Sequence, residues 1–281
     1  MANTITSDIS ALIPAIIAEA MFVAEEKSLM RGLVRNFAVP AGSGLTVTVP
    51  IYPKQTAYNV AENVDLVSNA IVTTSQTITC SEKGLTTTIT DLSANSAQAN
   101  VVADVGRLFG EAISQKIDKD LTALFDGFST SIGANVAITS AHVFQAVANL
   151  KNAGVDPNGV VCVINPMIGY DLLASLTTNG NTPFNGTFNQ VANDALRSGF
   201  VGYLAGIPVF QSSNVGITAG VSKGGVFHRE ALGLAMMQDM KIELQRDASL
   251  RATELVATAV YGVKELYDGY GVELHNLSSI A

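Results

Sequence analysis

One stretch sets the scale of whatever this chain folds into. From Ser93 to Phe128 the sequence reads SANSAQANVVADVGRLFGEAISQKIDKDLTALFDGF, with Val101, Val105, Leu108, Ala112, Ile117, Leu121, Leu124 and Phe128 recurring at spacings of three to five. That recurrence is the pattern of an amphipathic helix. Asp91 and Ser93 are its candidate N-caps, and Gly127 helps to end it. At 1.5 Å per residue such a helix would run about 50 Å, more than a compact domain of this size needs. It is expected to act as a strut as well as a core element.

The segment before it has the opposite character. Between Gly42 and Asp91 the chain is rich in Thr and Val and carries no apolar residues at helical spacing. In LTVTVPIY, Leu45, Val47 and Val49 face one way and Thr46 and Thr48 the other, the alternation of a strand. Pro50 and Pro53 deny that strand a central place in a sheet. A polar tip follows, and AIVTTSQTITCSEKGLTTTITD returns as a second β-prone limb. The two limbs predict a long β-arm that is marginal in water unless it lies on something else. Residues 8–34 read as helical, with Ile13, Ile16, Ile17, Ala20 and Ala24 on one stripe that Leu29, Leu33 and Val34 continue. This stripe has no partner nearby in sequence, so it is expected to pack on a distant part of the chain or on another subunit. The same run lacks a basic start, carries Asp8 and Glu19, and falls short of the roughly 20 apolar residues of a membrane span.

Beyond a Gly/Ser break at 129–134 the texture becomes α/β. TSAHVFQAVANLKNAGV predicts a helix with Ala, Val, Phe and Leu on one face and Gly154 as its stop, and GVVCVINP a buried strand. MIGYDLLASL reads as a short helix, and GFVGYLAGIPVFQSSNV as two strands around a turn. From Gly225 onward long β segments return. Met236, Met240, Ile242 and Leu244 alternate incompletely, and ELVATAVYGVKEL reads as a second strand antiparallel to the first.

The motifs that carry chemistry are missing. Histidines 142, 228 and 275 lack Cys or carboxylate neighbours at ligand spacing, and there is no G-x-S-x-G. GVSKGG departs from the phosphate-loop spacing and reads as a surface turn. VVCVINPMIGYDLL has Asn-Pro where a dinucleotide site places glycines. Glu25/Glu26 and Asp118/Asp120 do not share a helix face and read as solvated. YDGYG is a turn between strands. Cys80 and Cys162 read as reduced, small apolar residues. No catalytic residue, metal ligand or cofactor site is expected. The formal charge of −8, with no basic run, argues against binding nucleic acid by neutralising phosphates. A charged fraction of only 14 % leaves much of the surface small and neutral, which suits broad contact between subunits.

The order of these parts resembles the major capsid proteins of tailed phages, with the Hong Kong 97-type α+β fold. The tail TELVATAVYGVKELYDGYGVELHN is also similar to the ending of many such proteins. The resemblance implies an N-terminal arm over 1–38, an extended β-loop over 42–82, a peripheral domain with the spine helix over 93–136 and 228–281, and an axial domain over 137–227. It implies a virion protein, assembled in the host cytoplasm, that joins copies of itself as hexamers and pentamers of a shell around double-stranded DNA, without sequence-specific binding and without a membrane. Ile13, Ile17 and Met21 on the arm, and Tyr52, Lys54, Tyr58 and Val60 on the loop, become the expected inter-subunit contacts. Some relatives cross-link their loops through Lys and Asn. Lys54 lies near the tip, but no Asn partner or catalytic carboxylate matches, so the expected shell is non-covalent. No long charged helical segment precedes the arm in this sequence, so a separate scaffolding protein is expected, with a portal and cement proteins as further partners. The alternatives are an encapsulin-like nanocompartment shell and an oligomeric α/β enzyme or binding protein using 137–227.

Overall fold

The computed structural model describes residues 28–40, 42, 44–53, 55–57, 59–60, 62–63, 65, 70–92, 101–178 and 200–280. Ile13, Ile17 and Met21, the loop residues Lys54 and Tyr58, the pair Glu25/Glu26 and the candidate cap Ser93 lie outside these residues. In chain order the elements are α1 (Met30–Leu33), β1 (Arg35–Ala38), β2 (Thr46–Ile51), β3 (Thr74–Thr79), β4 (Ser81–Thr90), α2 (Val101–Thr122), a 3-10 turn (Ala123–Gly127), β5 (Ser131–Ala137), α3 (Ser140–Asn152), β6 (Val160–Ile164), α4 (Pro166–Thr178), β7 (Phe200–Leu204), β8 (Ile207–Gln211), β9 (Ile217–Thr218), β10 (Val221–His228), β11 (Leu232–Asp247), β12 (Ala252–Glu265), a 3-10 turn (Asp268–Tyr270) and β13 (Gly271–Leu277).

The long helix is present as α2, and its described part extends about 33 Å. Its buried row is Phe109, Ile113, Ile117 and Leu121, with Val105 half-buried above and Phe125 below. Leu108 and Ala112, expected on this row, face outward instead. The reason is the 3.6-residue repeat: a row stepping by four from Val105 passes through Phe109 and Ile113, and Leu108 falls on its flank. Asp91 does not cap the helix among the described contacts; its carboxylate takes both Nη atoms of Arg246 at 2.6 Å.

The strands form three sheets. A four-stranded sheet runs β1-β11-β12-β4, built around the long β11/β12 hairpin, with β1 parallel to β11. A larger sheet runs β5-β13-β10-β6-β8-β7 with β9 beside β10. Strand β6 is buried throughout, as its unbroken VVCVI run predicts. The third sheet is the two-stranded ribbon β2-β3, antiparallel from Thr46↔Thr79 to Ile51↔Thr74. Helices α3 and α4 close a second core on the larger sheet through Val143, Ala146, Val147, Leu150, Ile168 and Leu172. Phe144, predicted to join that core, is instead exposed, because the row 143-146-147-150 already occupies the inner face.

Two further sequence expectations are corrected. The β-arm is not without a floor along its whole length: the return limb breaks at Cys80, and β4 beyond it pairs with β12 from Ser81↔Tyr261 to Thr90↔Ala252. GVSKGG is not a surface turn either. Val221 to Gly225 lie within β10, and its glycines are needed for close approach: a Cβ on Gly225 would sit 2.8 Å from the Phe125 ring, and one on Gly224 2.9 Å from the Val163 carbonyl oxygen. Phe125 also packs on Phe227 at 5.2 Å between centroids, so the ring has little room to retreat. Gly225→Ala is expected to lower stability by about 1–3 kcal/mol in urea unfolding; an unchanged midpoint would show that the turn after α2 yields freely.

Candidate assembly surfaces

The first described residues are held by one side chain. Asp118 sits on the buried side of α2 and is fully enclosed. Its carboxylate accepts from Ser28 Oγ at 2.9 Å, from the Leu29 N–H at 3.1 Å and from the Met30 N–H at 3.2 Å, so it caps α1 from outside. Asn214 Nδ2 lies 3.4 Å away on the far side. Burial pushes the Asp118 carboxyl above the usual carboxylate range, and the four hydrogen bonds pull it back. Asp118 was read from sequence as solvated, and the structure overturns that. The missed signal is its place in IDKDL: Ser114, Asp118 and Leu121 follow one another at helical spacing beside the apolar row. Asp120, one residue past Lys119, behaves differently. It is half-buried, pairs with Lys116 at 2.6 Å, and accepts the Tyr261 hydroxyl at 2.8 Å, which ties α2 to β12. Burial and then the Asp120 carboxylate push the Tyr261 hydroxyl upward, keeping it a donor at every ordinary pH.

The β-loop has a buried base and an open end. Val49 and Ile78 turn inward onto Cys80, Ala235 and Leu266, while the Thr side of the ribbon faces water. Past Ile51 the apolar residues have no such floor. Tyr52 is 66 % exposed and Val72 71 %, with Val60 and Ile71 also in solvent. Tyr52 and Val60, two of the four loop contacts expected from sequence, are thus described and exposed. Away from the loop, Phe144 of α3, Met167 and Tyr170 of α4, and Tyr203 of β7 are also exposed. Met167 and Tyr170 are one turn apart on the outer face of α4, and outward apolar residues on an amphipathic helix are the signal that could have found them.

Elsewhere the ionisable groups serve the fold. His142 accepts the Thr139 N–H and completes a capping box at the start of α3. His228 accepts from the Glu230 N–H. Lys223 bridges Asp126 and the buried Glu273. Both cysteines are buried and unpaired, and burial pushes the Cys162 thiol up to about 12. Among the described residues no three His, Cys, Asp or Glu side chains gather as a metal site, and no helix is long and apolar enough to cross a membrane.

No family model matches the sequence, and no curated protein matches it. Solved structures do. The capsid of cyanophage P-SCSP1u superposes with a TM-score of 0.71 at 18 % identity, over 90 % of this chain and 89 % of that one. This is a phage-capsid fold. The capsid of Helicobacter pylori bacteriophage KHP30 gives a TM-score of 0.72 at 14 % identity, covering 89 % of this chain and 91 % of that one. A chain of Mycobacterium phage Che8 gives 0.68 at 20 %, covering 88 % and 91 %. The α+β architecture expected from the order of the segments is therefore the one observed.

Removing the Asp118 carboxylate strands two backbone N–H groups, a hydroxyl and an amide. Asp118→Ala is expected to cost about 2–4 kcal/mol. The pH dependence has a fixed sign. The folded carboxyl titrates above the unfolded value, so the stability it contributes is full below the unfolded pKa and falls as pH rises through the folded one. The melting-temperature margin of the native chain over Asp118→Asn should accordingly narrow as pH rises above the unfolded aspartate value of about 3.9; a margin that widens would contradict this account.

Proposed function

We propose that this chain is the major capsid protein of a tailed phage, a structural subunit rather than a catalyst, whose copies close into an icosahedral shell around double-stranded DNA. The observation that carries the reading is the likeness to phage capsid structures over about nine-tenths of both chains. The exposed apolar end of the β-loop supports it, because Tyr52, Val60, Ile71 and Val72 need a cover that the described subunit does not supply. In this reading the arm (1–38), the β-loop (42–82), the peripheral domain with its spine helix (93–136 and 228–281) and the axial domain (137–227) are the working parts. Strand β13 lies in the same sheet as β6 and β8, so the last part of the chain also braces the axial domain.

Tyr52 and Val60, with Lys54 and Tyr58 between and beside them and Ile13, Ile17 and Met21 on the arm, are proposed to bury against neighbouring subunits. The partners are other copies of the chain in hexamers and pentamers, a separate scaffolding protein, a portal and cement proteins, and assembly takes place in the host cytoplasm. The net charge of −8 fits a shell that encloses DNA without gripping its phosphates. Contacts are non-covalent, so the mature particle should run as one subunit band on a denaturing gel.

Ile51 and Thr74 face each other in register, so residues 52–73 can be replaced by Asn-Gly, which closes the ribbon with a two-residue turn. The shortened chain is expected to fold, with unfolding close to that of the native chain, and to form no normal shells by negative-stain microscopy. Normal shells would contradict the reading. So would a chain that no longer folds, since that would place the loop in the subunit's own core.

A further inference from the structure

The turn between α3 and β6 reads Asp156-Pro157-Asn158-Gly159, and all four residues are exposed. The Val160 N–H donates to the Pro157 carbonyl at 3.3 Å, which closes a β-turn with Asn158 and Gly159 at its centre. Gly159 has a φ of +91°, and a Cβ there would sit 3.2 Å from Nε2 of His228. The fold therefore requires glycine at this position. Asn158 is held only through its backbone. Its N–H donates to Asp156 Oδ1 at 2.9 Å, while its side-chain amide bonds to nothing among the described residues. The N–H of Gly159 is likewise without a hydrogen-bond partner among them. An amide carbon thus stands beside an uncommitted backbone nitrogen, whose own residue has no side chain to block the approach.

Other asparagines nearby lack these conditions. Asn165 is buried; its amide donates to the Val215 carbonyl at 2.7 Å and accepts the Met167 N–H at 2.9 Å. The residue after it is Pro166, which has no N–H. Asn152 ends α3, and the N–H of the next residue, Ala153, is bonded to the Asn149 carbonyl at 3.0 Å.

We propose that Asn158 is a spontaneous modification site, converted in the folded chain to aspartate and isoaspartate through a cyclic imide with Gly159. The Gly159 nitrogen gives its proton to hydroxide and attacks Cγ of Asn158, an intramolecular step favoured by proximity. The Cγ–Nδ2 bond breaks, and ammonia leaves with a proton taken from water, which regenerates the hydroxide. Water then adds to one of the two imide carbonyls. Opening at Cγ gives aspartate; opening at the main-chain carbonyl gives isoaspartate, whose backbone runs through Cγ and is one methylene longer. Overall one water is consumed and one ammonia released, with no oxidation or reduction. The product places a new carboxylate beside Asp156, at the entry to the fully buried strand β6. The proposal does not depend on what the subunit assembles into.

Incubating the folded, full-length chain at mildly alkaline pH in water enriched in heavy oxygen tests it, with circular dichroism verifying the fold throughout. Trypsin releases residues 152–197 as one peptide. Electron-transfer fragmentation locates the heavy oxygen in it and distinguishes isoaspartate from aspartate. The fragments also separate Asn158 from Asn179 and Asn185, the other asparagines followed by glycine in that peptide. The expected result is label at residue 158, in both isomers, formed faster by on the order of tenfold or more than at Asn152 or Asn165. No label at 158, label there no faster than at Asn152, or aspartate without isoaspartate would overturn the proposal. In Asn158→Gln the ring would need one more atom, so conversion at this position should fall by on the order of tenfold; an undiminished rate would equally count against the cyclic route.

Discussion

The fold hangs on the buried row of one helix. Phe109, Ile113, Ile117 and Leu121 of α2, continued by Phe125, pack against Leu234, Met240 and Ile242 of β11, Leu255, Ala257 and Tyr261 of β12, and Phe227 of β10. Each of the two large sheets thus meets the same helix. Hydrophobic contact alone would let such a helix slide, since it is nearly non-directional. Polar pins set its position: the Tyr261 hydroxyl on Asp120, Ser28 and Asn214 on Asp118, and the Thr122 hydroxyl on the Asn214 carbonyl at 3.0 Å. Gly225 lets the aromatic ring that follows the helix come down onto β10, and Gly224 lets β6 approach on the other side.

Much of this was legible from sequence because it is written in local patterns. The period of the long helix, the alternation of β2, the solid apolar run of β6 and the β11/β12 pair follow from side-chain spacing, and the order of those elements carried the fold. The errors share one cause. Leu108 and Phe144 were placed by counting apolar residues, and Asp118 by its failure to share a face with Asp120, whereas a few tens of degrees of rotation about a helix axis decide burial, and only the neighbouring elements set that rotation. Gly224 and Gly225 were read through turn chemistry because nothing local announces that the β6 backbone needs the space at one and an aromatic ring from another segment the space at the other. The break of the return limb at Cys80, where one strand leaves the ribbon and the next joins β12, depends on pairing more than 160 residues away.

The β-loop was conspicuous because Thr-rich strands bracketing a tip with two prolines have no use for a compact core. Its exposed end, with Tyr52, Val60, Ile71 and Val72, is a surface that the described residues leave uncovered, and low charge makes such a surface cheap to desolvate.

Completion of the β-loop by a neighbouring subunit is the central claim, and amide hydrogen exchange measures it directly. Residues 52–73 should exchange at least tenfold more slowly in assembled particles than in free subunits, while the α2 core row is protected in both. Equal exchange of 52–73 in the two states, with assembly verified by microscopy, would contradict the account.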